Sequence, residues 1–152
     1  MQAITYLQFG GNANQALHFY ETALQATSVR KVTFGDLGEN PGQPMTSEEK
    51  EMIMESCFEF SGNKIMMSDV PPFMQAVTGE LSTGNTLLIS LIDGDPKEYQ
   101  HYFDALSQEG IVIMPLSKVP WSECFGLVID KFGVTWKFNS DASKFLSRSI
   151  AE

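Results

Sequence analysis

The side chains in this 152-residue chain that could act in acid–base, nucleophilic or ligand-binding chemistry are few. Glu55 and Cys57 lie two residues apart in one strand-like segment, and Lys137 lies in another near the C-terminus. Because side chains alternate along a strand, Glu55 and Cys57 are expected on the same face. A carboxylate beside an ammonium group could orient an anionic or carbonyl ligand, and a thiol could act as a nucleophile. The alternatives are two solvated charges that never meet and a plain buried thiol.

Metal and nucleotide chemistry finds little support in the residue types. The two histidines, His18 and His101, lie far apart in helix-like segments, so a histidine-rich zinc or iron site is hard to build. No histidine is expected to face Cys57, which weakens its case as a nucleophile. The sequence has no Gly-x-Gly-x-x-Gly or Walker loop for a nucleotide and no Gly-x-Ser-x-Gly elbow. A methyltransferase reaction is therefore not favoured, and whether the chain is an enzyme stays open.

The charge balance excludes two classes of partner. The chain has 10 Lys and Arg against 19 Asp and Glu, which gives a net charge of −9. Nucleic acids and anionic lipids both need a basic face, so neither is an expected partner. The N-terminus has no basic residues before an apolar run, and two cysteines without an export signal fit a reduced compartment. The sequence therefore predicts a cytoplasmic protein with no membrane segment.

Hydrophobic spacing predicts two series of elements in the same order. In the first half, a helix runs from Asn12 or Asn14 to about Gln25. In the second half, Asp95 begins a helix with Pro96 at its first position, and Asp141 caps a short C-terminal helix. The other segments are strands at 4–9, 28–34, 53–60, 64–69, 85–92, 111–116, 124–130 and 134–139 and long loops at 35–49 and 70–84. Loop 35–49 is either a lid over a site or disordered.

An internal repeat relates the two series. At an offset of 83 residues, His18-Phe19-Tyr20-Glu21 aligns with His101-Tyr102-Phe103-Asp104, and the first strand of each series is in register. The alternative is two unrelated amphipathic helices with similar cores. The repeat predicts an α+β fold of two tandem β-α-β-β-β modules, at about 1–70 and 82–140. A linker at 71–81 and a C-terminal helix at about 141–149 complete one predicted domain, 1–152.

Several motifs resemble one protein superfamily over nearly the whole chain. They are Tyr6-Leu7-Gln8-Phe9-Gly10-Gly11-Asn12-Ala13, Phe19-Tyr20, Ile65-Met66-Met67-Ser68-Asp69, Trp121 with Phe125-Gly126, and Asp130-Lys131-Phe132-Gly133-Val134-Thr135-Trp136. This set resembles the PhnB-like branch of the vicinal oxygen chelate superfamily, the glyoxalase, bleomycin-resistance and dioxygenase group. The resemblance implies curled mixed sheets that form a cup, in the glyoxalase/dioxygenase-like fold, and a homodimer. It also implies a divalent metal in the cup, held by side chains on four strands.

The four metal positions of the superfamily fall on residues that form a poor ligand set. They correspond to Thr5, Glu55, Leu88 and Lys137. Only Glu55 is a good ligand, because Leu88 cannot coordinate and the Lys137 ammonium would repel a cation. No cofactor is therefore expected, and a divalent metal is the less favoured alternative. In its place, the Lys137 ammonium is expected to pair with the Glu55 carboxylate.

Strand alternation gives a candidate pocket inside the cup. If Thr5 points inward, its strand neighbours with the same parity do so too, and the same holds for the other strands. The pocket candidates are Thr5, Leu7, Phe9, Glu55, Cys57, Thr86, Leu88, Ser90, Trp121, Thr135 and Lys137. The favoured function is binding of an unidentified small molecule without a metal. The alternatives are a metal-dependent lyase, isomerase or dioxygenase and a non-catalytic dimeric structural protein.

Overall fold

The structure is a computed structural model that describes residues 1–150. It divides into two compact units, Met1–Ser82 and Thr83–Glu152, which we call module one and module two. Residues 151 and 152 lie outside the described residues. That the two modules act as one domain stays a prediction.

Module one is a four-stranded mixed sheet with one main helix. The strand order is β1-β4-β3-β2, and β1 is parallel to β4 while the other neighbours are antiparallel. A short 3₁₀ turn, Gly35–Leu37, follows the second strand. The elements are β1 (Thr5–Phe9), α1 (Ala13–Ala23), β2 (Thr27–Thr33), α2 (Ser47–Glu51), β3 (Ile53–Phe60), β4 (Asn63–Asp69) and α3 (Pro72–Thr78).

Module two repeats this topology. Its strand order is β5-β8-β7-β6, with β5 parallel to β8 and the other neighbours antiparallel. The elements are β5 (Ile89–Ile92), α4 (Pro96–Leu106), β6 (Ile111–Val119), β7 (Ser122–Ile129), β8 (Thr135–Asn139) and α5 (Ala142–Ile150). Both sheets are unclosed. The matching order confirms the predicted α+β class and the duplication of a β-α-β-β-β module.

Two segments predicted as loops contain helices. Within 35–49, α2 begins with a capping box in which Thr46 and Glu49 satisfy each other's backbone N–H groups. Within 70–84, Pro72 starts α3, so most of the predicted linker at 71–81 is helical. Short helices that are polar or lack a long apolar stripe give little periodic signal, which is why the spacing missed them.

The core of module one lies between α1 and one face of the sheet. Tyr20 and Leu17 of α1 are fully buried, and so are Phe58 and Met67 of the sheet. The Tyr20 and Phe58 rings stack with their centroids 5.9 Å apart. Apolar residues at helical spacing in α1 thus meet alternate residues of β3 and β4, as both periods require.

The core of module two has the same arrangement with more aromatic side chains. Trp136 and Phe138 of β8 are completely buried. The Phe138 ring makes edge contacts with Tyr99 and Phe103 of α4, at centroid distances of 5.2 and 5.4 Å. As predicted, Asp95 caps α4 by accepting a hydrogen bond from the Lys97 N–H.

The start of α1 is held by a buried carboxylate and not by the asparagine predicted as its cap. Asn12 makes no side-chain cap; instead Asp69, which is 2% exposed, accepts from Gly11 N–H at 2.8 Å and Ala13 N–H at 3.0 Å. Its second oxygen accepts from Ile53 N–H at 2.9 Å. Asp69 thus joins the β1–α1 turn, the end of β4 and the start of β3.

The last helix is also capped differently from the prediction. The Asp93 carboxylate accepts from both the N–H and the hydroxyl of Ser143 in the first turn of α5. Asp141, the predicted cap, accepts instead from the Glu123 N–H and the Ser140 hydroxyl. No helix within residues 1–150 combines the length and apolarity that crossing a membrane would need.

Gly110 is expected to be intolerant of any side chain. A Cβ at this position would lie 2.4 Å from the Ile129 carbonyl oxygen, a backbone atom fixed by the β6–β7 pairing. We expect Gly110→Ala to lower the free energy of unfolding by about 1–3 kcal/mol, measured by chemical denaturation. Gly84→Ala is the matched control, because nothing lies within 4 Å of a Cβ there. Equal stability of the two variants would contradict this prediction.

Candidate functional site

The face of the first sheet that points away from α1 carries the chemistry-bearing residues of module one. In the strand register, Met66 of β4 lies opposite both Tyr6 of β1 and Cys57 of β3, so these side chains share one face. Glu55 and Glu59 lie two residues before and after Cys57 on β3, so their side chains point to the same face. We call these five residues the open face of module one. All of them are partly or largely exposed.

A hydrogen bond between a phenol and a carboxylate organises this open face. The Tyr6 hydroxyl donates to Glu55 Oε1 at 2.8 Å, and the Tyr6 side chain is 40% exposed. Desolvation raises the pKa of Tyr6, and the adjacent Glu55 carboxylate raises it further because a phenolate would face a like charge. A hydrogen bond with Ser68 acts in the opposite direction. The pair therefore presents a neutral phenol and a carboxylate side by side.

The Tyr6–Glu55 contact predicts a pH-dependent signal. We expect Tyr6 to ionise above the ordinary tyrosine pKa of about 10 and Glu55→Gln to lower that pKa, because the like charge is removed. The folded pKa is the higher one, so the associated stability is present below pH ~10 and is lost as pH rises through the folded pKa. Ultraviolet absorbance titration measures the transition, and Tyr6→Phe identifies it.

Glu59→Gln is the matched control for this titration. Glu59 lies on the same strand and face, but it pairs with Lys64 at 3.6 Å rather than with a tyrosine. Burial also raises the pKa of Tyr99, and that transition is common to parent and variants. If Glu55→Gln and Glu59→Gln titrate alike, the Tyr6–Glu55 contact does not govern the phenol.

The predicted orientation of β1 was wrong. Thr5, Leu7 and Phe9 lie opposite Ile65, Met67 and Asp69, on the face that packs against α1. Phe9 is only 7% exposed.

The prediction failed because Thr5 was matched to the first-strand metal position of the superfamily and taken to point inward, whereas burial of the large apolar Phe9 sets the orientation of the strand. The repeat is also shifted by one residue between its helices and its strands. The first residues of the two helices, Ala13 and Pro96, keep the offset of 83, whereas the open-face residues Tyr6 and Ser90 are 84 apart. A shift of one residue moves every side chain of a strand to the other face. Because Thr5 was taken to point inward, Tyr6 was assigned to the helix side of the sheet and was missed as a site residue. Alternation counted back from Phe9, the largest apolar residue of the strand, would have placed it on the open face.

The second sheet has its own open face, which carries Lys137. Ser90 lies opposite Lys137, and Lys137 lies opposite Leu127, so these side chains share a face with Thr135. The Lys137 ammonium lies 5.9 Å from the centroid of the Phe125 ring. Ser90, Thr135 and Lys137 thus lie together, as alternation predicts. That this face lines a ligand pocket stays a prediction.

Three other pocket candidates lie elsewhere in the fold. Thr86 and Leu88 precede β5, which begins at Ile89 rather than at residue 85, and both are exposed. Strand alternation therefore does not place them on the open face. Trp121 lies in the turn between β6 and β7, where it is 41% exposed and contacts the Phe125 ring edge-on at 5.5 Å.

The residues at the four predicted metal positions do not fit a divalent metal. Within residues 1–150, no group of three or more His, Cys, Asp or Glu side chains is arranged to hold a metal ion. Thr5 lies on the face covered by α1, Leu88 has no donor atom and Lys137 is a cation. Glu55 lies on β3 and Lys137 lies on β8. Because β8 is the counterpart of β4 and not of β3, the two residues do not hold equivalent positions in the two modules.

Comparison with known proteins gives the family of this chain. The model of a family described as 3-demethylubiquinone-9 3-methyltransferase matches residues 1–139. The chain is 30% identical over 141 residues to Protein YjdN of Escherichia coli (strain K12), and the match covers 88% of this chain and 91% of YjdN.

Two solved structures have similar folds. The crystal structure of protein PA1353 from Pseudomonas aeruginosa is 30% identical with a TM-score of 0.73, and the match covers 91% of this chain and 96% of PA1353. A putative 3-demethylubiquinone-9 3-methyltransferase, PhnB protein, from Bacillus cereus is 22% identical with a TM-score of 0.64, covering 91% and 98%. With the family match over residues 1–139 and the duplicated β-α-β-β-β topology, the chain belongs to the PhnB-like branch of the vicinal oxygen chelate superfamily.

Proposed function

We propose that this protein binds a small organic molecule against the open face of module one, without a divalent metal. The observation that carries the proposal is the exposed hydrogen bond from the Tyr6 hydroxyl to the Glu55 carboxylate. Polar side chains held in place by a sheet can orient a ligand, and the neighbouring Met66 and Cys57 supply apolar and polarisable contact. The unfit ligand set disfavours the alternative of a metal-dependent lyase, isomerase or dioxygenase.

The ligand expected at this face carries a hydrogen-bond donor on an apolar body. The Glu55 carboxylate is an acceptor with lone pairs beyond the one that Tyr6 uses. The Tyr6 hydroxyl donates to Glu55 and also shares a hydrogen bond with Ser68, so Glu55 is the main acceptor left for a ligand. An uncharged alcohol or amide matches this acceptor better than an anion, which Glu55 would repel.

A thermal-shift screen with chelator tests the proposal. Small alcohols, amides and acids are screened in the presence of EDTA, and a binder at 100 times its dissociation constant stabilises by ~2.7 kcal/mol. We expect an alcohol or amide to raise Tm, Glu55→Gln to abolish the shift and Glu59→Gln to retain it. A shift that needs added divalent metal, or stoichiometric metal in protein purified without chelator, would revive the metal-dependent alternative. A screen with no hits would favour a structural role.

The ion pair between Glu55 and Lys137 stays a prediction. A double-mutant cycle with Glu55→Gln and Lys137→Met tests it, because a direct contact gives a coupling free energy of about 0.5–3 kcal/mol. Additive effects on unfolding would overturn it. The titration of Tyr6 supplies an independent readout, since a cation at Glu55 would weaken the influence of the carboxylate on the phenol.

We propose that the protein is a homodimer. In the sheet order β6 is an edge strand, and its residues Ile111, Val112 and Ile113 are 63%, 46% and 50% exposed. Contiguous apolar side chains on an unpaired edge favour association with a second copy. Light scattering should give twice the chain mass, and Ile113→Lys should give the monomer. A monomeric parent at micromolar concentration would contradict the proposal.

A cytoplasmic location is also proposed. Cys57 and Cys124 are both free thiols, and Cys124 is buried. Free cysteines without a disulfide are typical of a reducing compartment. Fractionation of cells followed by detection of the chain in the cytosolic fraction tests this, and recovery from another compartment would contradict it.

A further inference from the structure

Module two contains a cavity whose lining includes none of the residues of the proposed site. It has a volume of about 150 Å³ and lies between the tip of the β6–β7 hairpin and α5. Lys118, Trp121 and Glu123 line it from the hairpin, and Lys144 and Arg148 line it from the helix. The cavity combines basic and aromatic side chains in a chain whose net charge is −9.

The cations of this cavity are only partly neutralised. Lys118 pairs with Glu123 at 3.1 Å, and Lys144 lies 3.9 Å from Asp141. Within residues 1–150, Arg148 forms no ion pair. Among the described lining residues, three cations thus face two carboxylates, which is an excess of positive charge.

One of the two carboxylates is already committed to the protein. Asp141 Oδ2 accepts from the Glu123 N–H at 2.8 Å and from the Ser140 hydroxyl at 2.9 Å. These hydrogen bonds hold the pKa of Asp141 below its ordinary value, so it stays ionised and anchored at neutral pH. Its role is to tie the hairpin to the start of α5. The Arg148 guanidinium, with five N–H donors, has no carboxylate partner in the part of the chain that the structure describes.

Two aromatic side chains form the main apolar part of the lining. Trp121 is 41% exposed and Phe145 is 48% exposed, and both line the cavity. A cavity of ~150 Å³ holds a molecule about the size of benzene. Arginine binds carboxylates with a planar, bidentate geometry, and aromatic faces accept flat rings. We propose that this cavity is a binding site for a small organic carboxylate with a planar apolar body, held by Arg148 and Trp121.

Benzoate and its neutral analogue benzamide test the proposal. Titration is followed by saturation-transfer NMR of the ligand and by the fluorescence of Trp121, which lines the cavity. We expect saturable benzoate binding in the millimolar range and about tenfold weaker binding of benzamide, since a charge-assisted hydrogen bond is lost. Binding of benzamide as tight as benzoate, or no saturable binding of either, would overturn the proposal.

The two arginines of the chain provide a matched pair of variants. Arg148→Gln should weaken benzoate binding about tenfold, while Arg30→Gln, which changes the net charge equally but lies on β2 of module one, should leave it within about twofold. Both side chains are exposed, so both variants should keep the circular dichroism of the parent. Equal effects of the two variants would show that net charge alone attracts benzoate, and the site would be wrong. Glu55→Gln should leave benzoate binding unchanged, which separates this site from the proposed function.

Discussion

Asp69→Ala should lower the free energy of unfolding by about 3–5 kcal/mol, because three backbone N–H groups lose their acceptor at once. The carboxylate is 2% exposed and accepts from Gly11, Ala13 and Ile53. Each buried N–H left unpaired costs roughly 1–3 kcal/mol. Urea denaturation followed by circular dichroism measures the loss.

Asp69→Asn separates the hydrogen bonds from the volume of the side chain. Its amide oxygen can still accept from Gly11 and Ala13, but its NH₂ group would face the Ile53 N–H, so the loss should lie between parent and Asp69→Ala. Asp104→Ala is the control, since this exposed carboxylate accepts a hydrogen bond from Gln100 alone among residues 1–150 and its loss should change stability by about 0.5 kcal/mol or less. A loss for Asp69→Ala no larger than the control's would contradict its role.

Trp136→Ala should destabilise the protein by about 3–5 kcal/mol, because it leaves a large cavity in the core of module two. The side chain is 0% exposed and its indole N–H donates to Asp130 Oδ2 at 2.9 Å. The same carboxylate accepts from the N–H groups of Phe132 and Val134, so losing the indole also loosens the β7–β8 turn. Thermal unfolding by circular dichroism gives the change.

The chain contains two tryptophans, and Trp121 is the control for Trp136. Trp121→Ala removes the same atoms from a position that is 41% exposed, so it should cost about 1 kcal/mol or less. Trp136→Phe keeps most of the volume and should fall between parent and alanine variant. If Trp121→Ala were as costly as Trp136→Ala, the core would not lie where the structure places it.

Much of the fold could be predicted from the sequence because it follows from local patterns. Apolar residues of α1 and α4 recur at helical spacing, and β3 alternates between buried and more exposed residues, so the type and order of these elements were predictable. Asp95 and Pro96 marked the start of α4 by cap chemistry alone. The short α2 and α3 were missed since a helix of one or two turns gives little periodicity.

The candidate site was predicted only in part. The shared face of Glu55 and Cys57 follows from alternation within one strand, which needs no partner. The orientation of β1 was predicted wrongly, because Thr5 was matched to a metal position of the superfamily and taken to point inward, whereas Tyr6 is the residue of β1 that contacts Glu55. Arg148 had no sequence signal as a site residue, since nothing local relates α5 to the β6–β7 hairpin.

The sequence by itself determined the class of fold, the duplication and the family, because hydrophobic period and motif spacing are properties of neighbouring residues. Only the tertiary structure decided which face of β1 meets Glu55, that Asp69 rather than Asn12 holds the start of α1, and that Asp93 rather than Asp141 caps α5. Each of these depends on strand register or on contacts between residues about 50 or more positions apart. Register is set by how the whole buried face packs, and a slip of one residue reverses it.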